Sequence, residues 1–230
     1  MAEYNLSRVF DFLEAMETNN NREWFNLHRE VYDKAKVEFD LFVEQVGRGI
    51  EQFDAEFKYT NPKFYTYRIY RDVRFSKNKL PYKNHFGAYF CNGGRKSPLA
   101  GYFLKIQKGE SVVGGGIYRP EREMLKAIRQ EVYYSFKELD NIINEKKFKS
   151  FYPNLIEDKL KRGPKNYAKE CDAIEYLKYK SYAVAHPFAD REVLGANFQN
   201  QVLDSFELLK PLTEYLNKAI AFAQEEDSYV

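Results

Sequence analysis

Apolar residues first recur at helical spacing. Val9, Phe10, Phe12, Leu13 and Met16 follow Ser7, which predicts a helix over 7–17 with Ser7 as its N-cap. The run TNNN (18–21) breaks that pattern. Asn20 then reads as the cap of a second helix, with Glu23 three positions on as in a capping box. Trp24, Leu27, His28, Val31, Ala35, Phe39, Phe42, Val46 and Ile50 follow at steps of three and four, so one long helix is expected to end near Asp54.

The period then shortens to two. In KFYTYRIY, Tyr65, Tyr67 and Ile69 alternate with Thr66, Arg68 and Tyr70, as in a half-buried strand. HFGAYFCN (85–92) is strand-like, and GGRKSP is a loop by composition. AGYFLKIQ and SVVGGGIY flank KGE and read as a hairpin. A mostly antiparallel sheet is therefore expected over about 63–118. Pro120 at a first helical position, with Glu121 and Glu123 behind it, opens helices over roughly 120–146, broken or curved in the middle. Residues 151–170 read as irregular and 171–180 as a short helix. AVAHPF reads as extended or a turn, because Pro187 disfavours helix at His186. Further helices are expected from about Asp190 to Ala223, interrupted or restarted at Pro211, before a polar tail (225–230) expected to fray.

These elements make an α+β chain: 1–54 helical, 63–118 sheet, 120–225 mainly helical. With 230 residues, no repeat and no low-complexity linker, a single domain over 1–230 is the simplest reading. No apolar stretch approaches the ~18 residues of a membrane span. The opening MAEYNLSRVFDFLEAM has no basic region followed by an apolar run, so no secretory signal is expected. A cytoplasmic protein with no membrane partner is the expectation.

Charge changes this picture in one place. The chain carries 36 basic and 34 acidic residues, which predicts no strong overall steering to nucleic acid. Residues 61–85, however, hold Lys63, Arg68, Arg71, Arg74, Lys77, Lys79 and Lys83 against Asp72 alone, a local +6 that leaves the remainder at −4. Arginine is ionised at any working pH, and planar guanidinium groups suit phosphate and carboxylate alike. Aromatic residues interleave with these charges, which suggests a partly buried location, where an unpaired cation costs several kcal/mol. Such groups need either the protein's own carboxylates or an external anion.

The run RxxRDxRF…NKxPYK (68–83) resembles the signature of the domain of unknown function 2461 family of bacterial conserved hypothetical proteins. NNNREWFNLHREVY (19–32) is similar to that family's N-terminal pattern, and GGGIYRP and KRGPK also resemble its features. The resemblance covers almost the whole chain. It implies a grouping by fold and a location for a site, and it implies no reaction.

Arg68, Arg71, Asp72, Arg74, Lys79, Tyr82 and Lys83 are accordingly expected to gather around a concave site for a small phosphate- or carboxylate-bearing molecule, with catalysis left open. Asp72, among so many cations, suits holding arginines better than acting as a base. Tyr82 and His85 are better proton-transfer candidates by type. Trp24 and His28, one turn apart, complete the candidates, although His28 reads first as a hydrogen-bonded histidine at the core edge. Two alternatives stand beside this reading. Phe64, Tyr65, Tyr67, Tyr70, Phe75 and Tyr82 could stack on single-stranded nucleic acid, which the near-neutral total disfavours. An ion network closed on itself would instead suit a non-enzymatic interaction protein. No motif implies a cofactor. Cys91 and Cys171 have no zinc-ligand spacing, and His28, His85 and His186 no local metal pattern, so no metal is expected. Gly114–Gly116 lacks phosphate-loop spacing and reads as room for a strand to pack against bulky aromatics. The sequence sets no oligomeric state.

Overall fold

The computed structural model describes residues 4–227, with side chains as far as Phe222. Helix α1 (Leu6–Thr18) buries the expected stripe, but Asn5 caps it: Asn5 Oδ1 accepts from the Ser7 backbone N–H and from its hydroxyl. The expected long helix is two. Asn21, not Asn20, caps α2 (Arg22–Leu27), and α3 (Arg29–Phe53) follows after a break at His28. At the break His28 keeps its backbone bond to Trp24 O (3.0 Å), and its ring Nδ1 lies 2.9 Å from the same oxygen.

KFYTYRIY is not a ladder strand. Asn61 caps one helical turn, α4 (Pro62–Tyr65), with Pro62 in its first turn, and single bridges follow at Thr66 and Tyr70. The strands are β1 (Phe86–Phe90), β2 (Gly101–Ile106), β3 (Ser111–Ile117) and β4 (Tyr182–Phe188), in the order β1-β2-β3-β4 in one antiparallel sheet. The β2–β3 hairpin turns at Gly109, whose φ of 72° suits glycine. The stretch read as AVAHPF supplies β4.

Helices α5 (Arg122–Tyr134) and α6 (Phe136–Asn144) form the expected broken run, with Glu121 rather than Pro120 as its cap, and α7 (Lys146–Phe151) carries it past the expected end. Helices α8 (Ile174–Leu177), α9 (Asp190–Val193) and α10 (Phe198–Asp227) complete the chain. Pro211 does not interrupt α10. Phe206, Leu209, Leu212 and Leu216, all buried at helical spacing, hold the helix across it. The helix reaches Asp227; Ser228–Val230 of the polar tail, and Met1–Glu3 of the opening stretch, lie outside the described residues.

The chain packs as two compact units, one of residues 4–96, 103–113 and 187–204, the other of 97–102, 114–186 and 205–227. In the first, Phe86 contacts the rings of Phe12, Tyr32 and Phe39, and Phe42 stacks on Phe198. In the second, Tyr102 meets Phe206, while the buried tyrosines Tyr152 and Tyr182 donate to Ser205 O and Tyr176 O. Gly114 and Gly116 answer to backbone, not to bulky aromatics. A Cβ at Gly114 would lie 2.1 Å from Val184 O, and one at Gly116 2.2 Å from Tyr182 O.

Candidate functional site

Residues 66–71 run back along 81–88 as an irregular antiparallel pair. Thr66 bridges Ala88, and the Tyr67 N–H donates to Gly87 O (2.9 Å). Further out, the Lys83 N–H donates to Ile69 O (2.8 Å), Tyr70 bridges Tyr82, and the Arg71 N–H donates to Pro81 O (2.9 Å). Between these pairings Arg68 alone faces Asn84, His85 and Phe86. That bulge turns His85 out of a regular ladder.

Asn20 fastens the pair. Its Nδ2 donates to Tyr82 O and its Oδ1 accepts from the Tyr82 N–H, both at 3.1 Å, which imitates a strand partner. This long-range duty explains why the cap of α2 falls on Asn21. Tyr82 is 4% exposed and stacks on Phe25 at 4.1 Å. Asn20→Ala removes both bonds and leaves two part-buried backbone groups unpartnered. A loss of about 1–3 kcal/mol in urea unfolding is expected.

Residues 72–80 form an exposed loop. Asp72 binds Arg74 at 2.7 Å, a solvent-facing pair of small worth. Arg74 lowers the Asp72 carboxyl below its ordinary range through that hydrogen bond. Lys79 Nζ donates to Val73 O, and Phe75 is 97% exposed. An open cleft of about 560 Å³ lies between this loop and the asparagine turn, lined by Asn20, Arg22, Val73, Lys79 and Pro81 among others.

A second group of cations sits at the bulge. Lys83 is half-buried, with Nζ 5.3 Å from the centre of the Tyr67 ring. A Cβ on Gly87 would lie at contact distance from Leu104 O and Tyr67, both 3.5 Å, and from His85 at 3.9 Å. On β2, Lys105 donates to Gln107 Oε1 (3.1 Å) and to Glu110 Oε2 (3.3 Å). Burial first, then the Arg68 charge, lowers the Lys83 ammonium below its ordinary value. Burial, followed by the Lys83 and Lys105 charges, brings His85 down to about 4 from the ordinary 6.5. Glu110 is the one carboxylate acting on His85, and its side chain is 66% exposed. Lys83, Arg68 and Arg71 have no carboxylate within 4 Å among the described residues; Arg71 reaches only Ser76 Oγ at 3.5 Å.

The His85 displacement fixes a pH dependence. Between pH 6.5 and 4 the unfolded chain takes up a proton at this histidine that the folded chain refuses, so stability falls as pH falls through that window. The slope from this one group is at most about 1.4 kcal/mol per pH unit, reduced by its partial exposure. His85→Gln should flatten that part of a stability–pH curve measured by urea unfolding.

The ten expected residues thus divide. Arg68, Lys83 and His85 meet at the bulge. Arg71, Asp72, Arg74 and Lys79 belong to the loop and its base, where all but Arg71 are exposed. Tyr82 is a packed ring fastened by its backbone, and burial raises its phenol above the ordinary value, which fits a structural part. Trp24 stacks on His28 (4.2 Å) beside Phe12, and His28 is the hydrogen-bonded histidine of the plainer reading. Sequence reasoning missed Gly87 and Lys105, and named Tyr67 only as an aromatic that could stack on a base. The only signal for Lys105 was a lysine between apolar neighbours in an expected strand. Among the described residues no group of three or more His, Cys, Asp or Glu is placed to hold a metal ion, and no helix is long and apolar enough to cross a membrane.

No curated protein and no solved structure matches the chain. The sequence profile of the DUF2461 family, described as a conserved hypothetical protein, matches residues 8–215. That span runs from α1 into α10 and contains both the loop and the bulge. By this match over nearly its whole length, the chain belongs to the DUF2461 family.

Proposed function

We propose that the protein binds a small phosphate- or carboxylate-bearing molecule at Arg68, Lys83, His85 and Lys105. The observation that supports this most is the charge imbalance at the bulge. Two amines act on a neutral imidazole, the exposed Arg68 guanidinium acts on one of them, and the nearby carboxylates are already engaged, Glu110 by Lys105 and Asp72 by Arg74. Half-buried like charges repel one another, and a bound anion relieves that cost while gaining charge-assisted hydrogen bonds. A self-contained ion network fits less well, since Asp72 serves Arg74 and leaves Arg68 and Arg71 without an acid within 4 Å among the described residues.

The test is calorimetric titration of the full chain with sulfate, inorganic phosphate, citrate and mononucleotides. Saturable binding by at least one of them, weakened as salt rises, is the expected result. No heat and no thermal shift from any of them would defeat the reading.

One observation favours a second reading. Phe75 stands almost wholly in solvent, with the Arg74 guanidinium 5.9 Å from its ring and Lys79 on the same loop. An exposed aromatic among cations suits a stacked base on a single strand. Fluorescence anisotropy with labelled oligothymidylate at low salt decides it. Binding lost in Phe75→Ala supports this reading, and a flat signal for the unaltered chain removes it.

A further inference from the structure

The two lysines at the bulge are held differently. Lys105 donates to Gln107 and Glu110, so its amine is already partnered within the protein. Lys83 is half-buried against the face of Tyr67, with no carboxylate within 4 Å among the described residues. Its charged neighbour is the Arg68 cation, and its own charge acts on His85, uncharged at neutral pH. An amine with partial burial, a cationic neighbour and no carboxylate partner is more readily found without its proton, and a neutral amine adds to carbonyl carbon.

We infer that Lys83 captures carbonyl groups, forming an imine with the aldehyde or 2-oxo group of an anionic molecule held by Arg68 and Lys105. The inference rests on the anion-site reading above and names the substrate class of that site. In the first step the Lys83 Nζ lone pair forms a bond to the carbonyl carbon, and the carbonyl π pair moves onto oxygen. One nitrogen proton passes to that oxygen and gives a carbinolamine. In the second step the C–O bond breaks, the nitrogen pair closes the C=N bond, and oxygen leaves as water with the second nitrogen proton. Nothing is oxidised or reduced. His85 is the adjacent neutral group able to take a proton from nitrogen and return it to the departing oxygen. A side chain at Gly87 would contact both His85 and Tyr67, the two rings beside this amine.

The probe is pyridoxal 5′-phosphate, which joins an aldehyde to a phosphate. The full chain is incubated with it at neutral pH, reduced with sodium borohydride, digested and mapped by mass spectrometry. Reduction fixes the imine as a stable secondary amine on the lysine that formed it. The expected result is labelling of Lys83 at least ~10-fold above any exposed lysine, because the phosphate site raises the local aldehyde concentration. Excess inorganic phosphate should suppress that label, and Lys83→Arg, checked for folding by circular dichroism, should abolish it. Sulfate titration of the unaltered chain separates the two claims. Sulfate binding with labels spread evenly over surface lysines, or on Lys105 alone, overturns the imine inference and leaves the anion site standing. Absence of both sulfate binding and a preferred label overturns both.

Discussion

Lys83→Gln lowers the affinity for sulfate or phosphate by roughly 10- to 100-fold, the largest functional effect expected of any single substitution here. A hydrogen bond from a charged group contributes about 1.5–3 kcal/mol, and 1.4 kcal/mol is tenfold in affinity. Lys83 is a half-buried cation with no carboxylate within 4 Å among the described residues, so no acid of the protein competes with a ligand for its charge. Glutamine keeps most of the length and removes the charge. Lys105→Gln should weaken binding as well, but by a different route: it frees Glu110 to repel the incoming anion. Calorimetric titration at constant ionic strength measures both. Lys137→Gln, an exposed position on α6, should leave affinity within twofold. Equal losses at Lys137 and Lys83 would mean that bulk charge, and not a site, attracts the anion.

Phe86→Ala costs about 3–5 kcal/mol of stability, the usual range for removing a buried aromatic ring. Phe86 is 1% exposed and touches Phe12 of α1 and Tyr32 and Phe39 of α3. It therefore ties β1 to two helices at the point where the bulge begins. Phe86→Leu keeps much of the volume and should cost less. Urea unfolding followed by circular dichroism gives both values, with an unchanged denaturant slope expected. A loss below about 1 kcal/mol for the alanine variant would show that the core around it collapses to fill the space. Because His85 precedes Phe86, the alanine variant should also loosen the anion site even where it remains folded.

These two residues show what could be read in advance. The helical stripe of α1 and the hairpin of β2 and β3 were legible because each depends on local period and on one turn. The arginine-rich stretch was legible as a concentration of charge, but its division was not. Arg68 and Arg74 are six residues apart and look equivalent in a strand pattern, yet one faces a bulge and the other pairs with Asp72 in solvent. The bulge arises from a change of pairing between Tyr67–Gly87 and Ile69–Lys83, which no local pattern encodes. Asn20 and Asn21 are equally good caps by type, and only the Tyr82 backbone, 62 positions away, assigns their duties. The Asn61-Pro62 helix start outweighed the alternation of KFYTYRIY, because a cap and a preset φ act on consecutive residues while the alternation needs a partner strand. Lys105 was hidden for the same reason as the bulge: a lysine at an alternate strand position reads as solvated until the neighbouring segment is known.

The most direct test is the titration of His85 by NMR. Sulfate is the added ligand, since it stays a dianion across the range. With three histidines in the chain, the imidazole signals are separable by substitution. Without ligand, His85 should titrate near 4. Sulfate bound beside Lys83 and Lys105 should move that midpoint upward, because a nearby anion favours the imidazolium, and should leave His28 and His186 unmoved. A His85 midpoint at the ordinary 6.5 that does not respond to sulfate would contradict both the crowding of cations at the bulge and the anion site built on it.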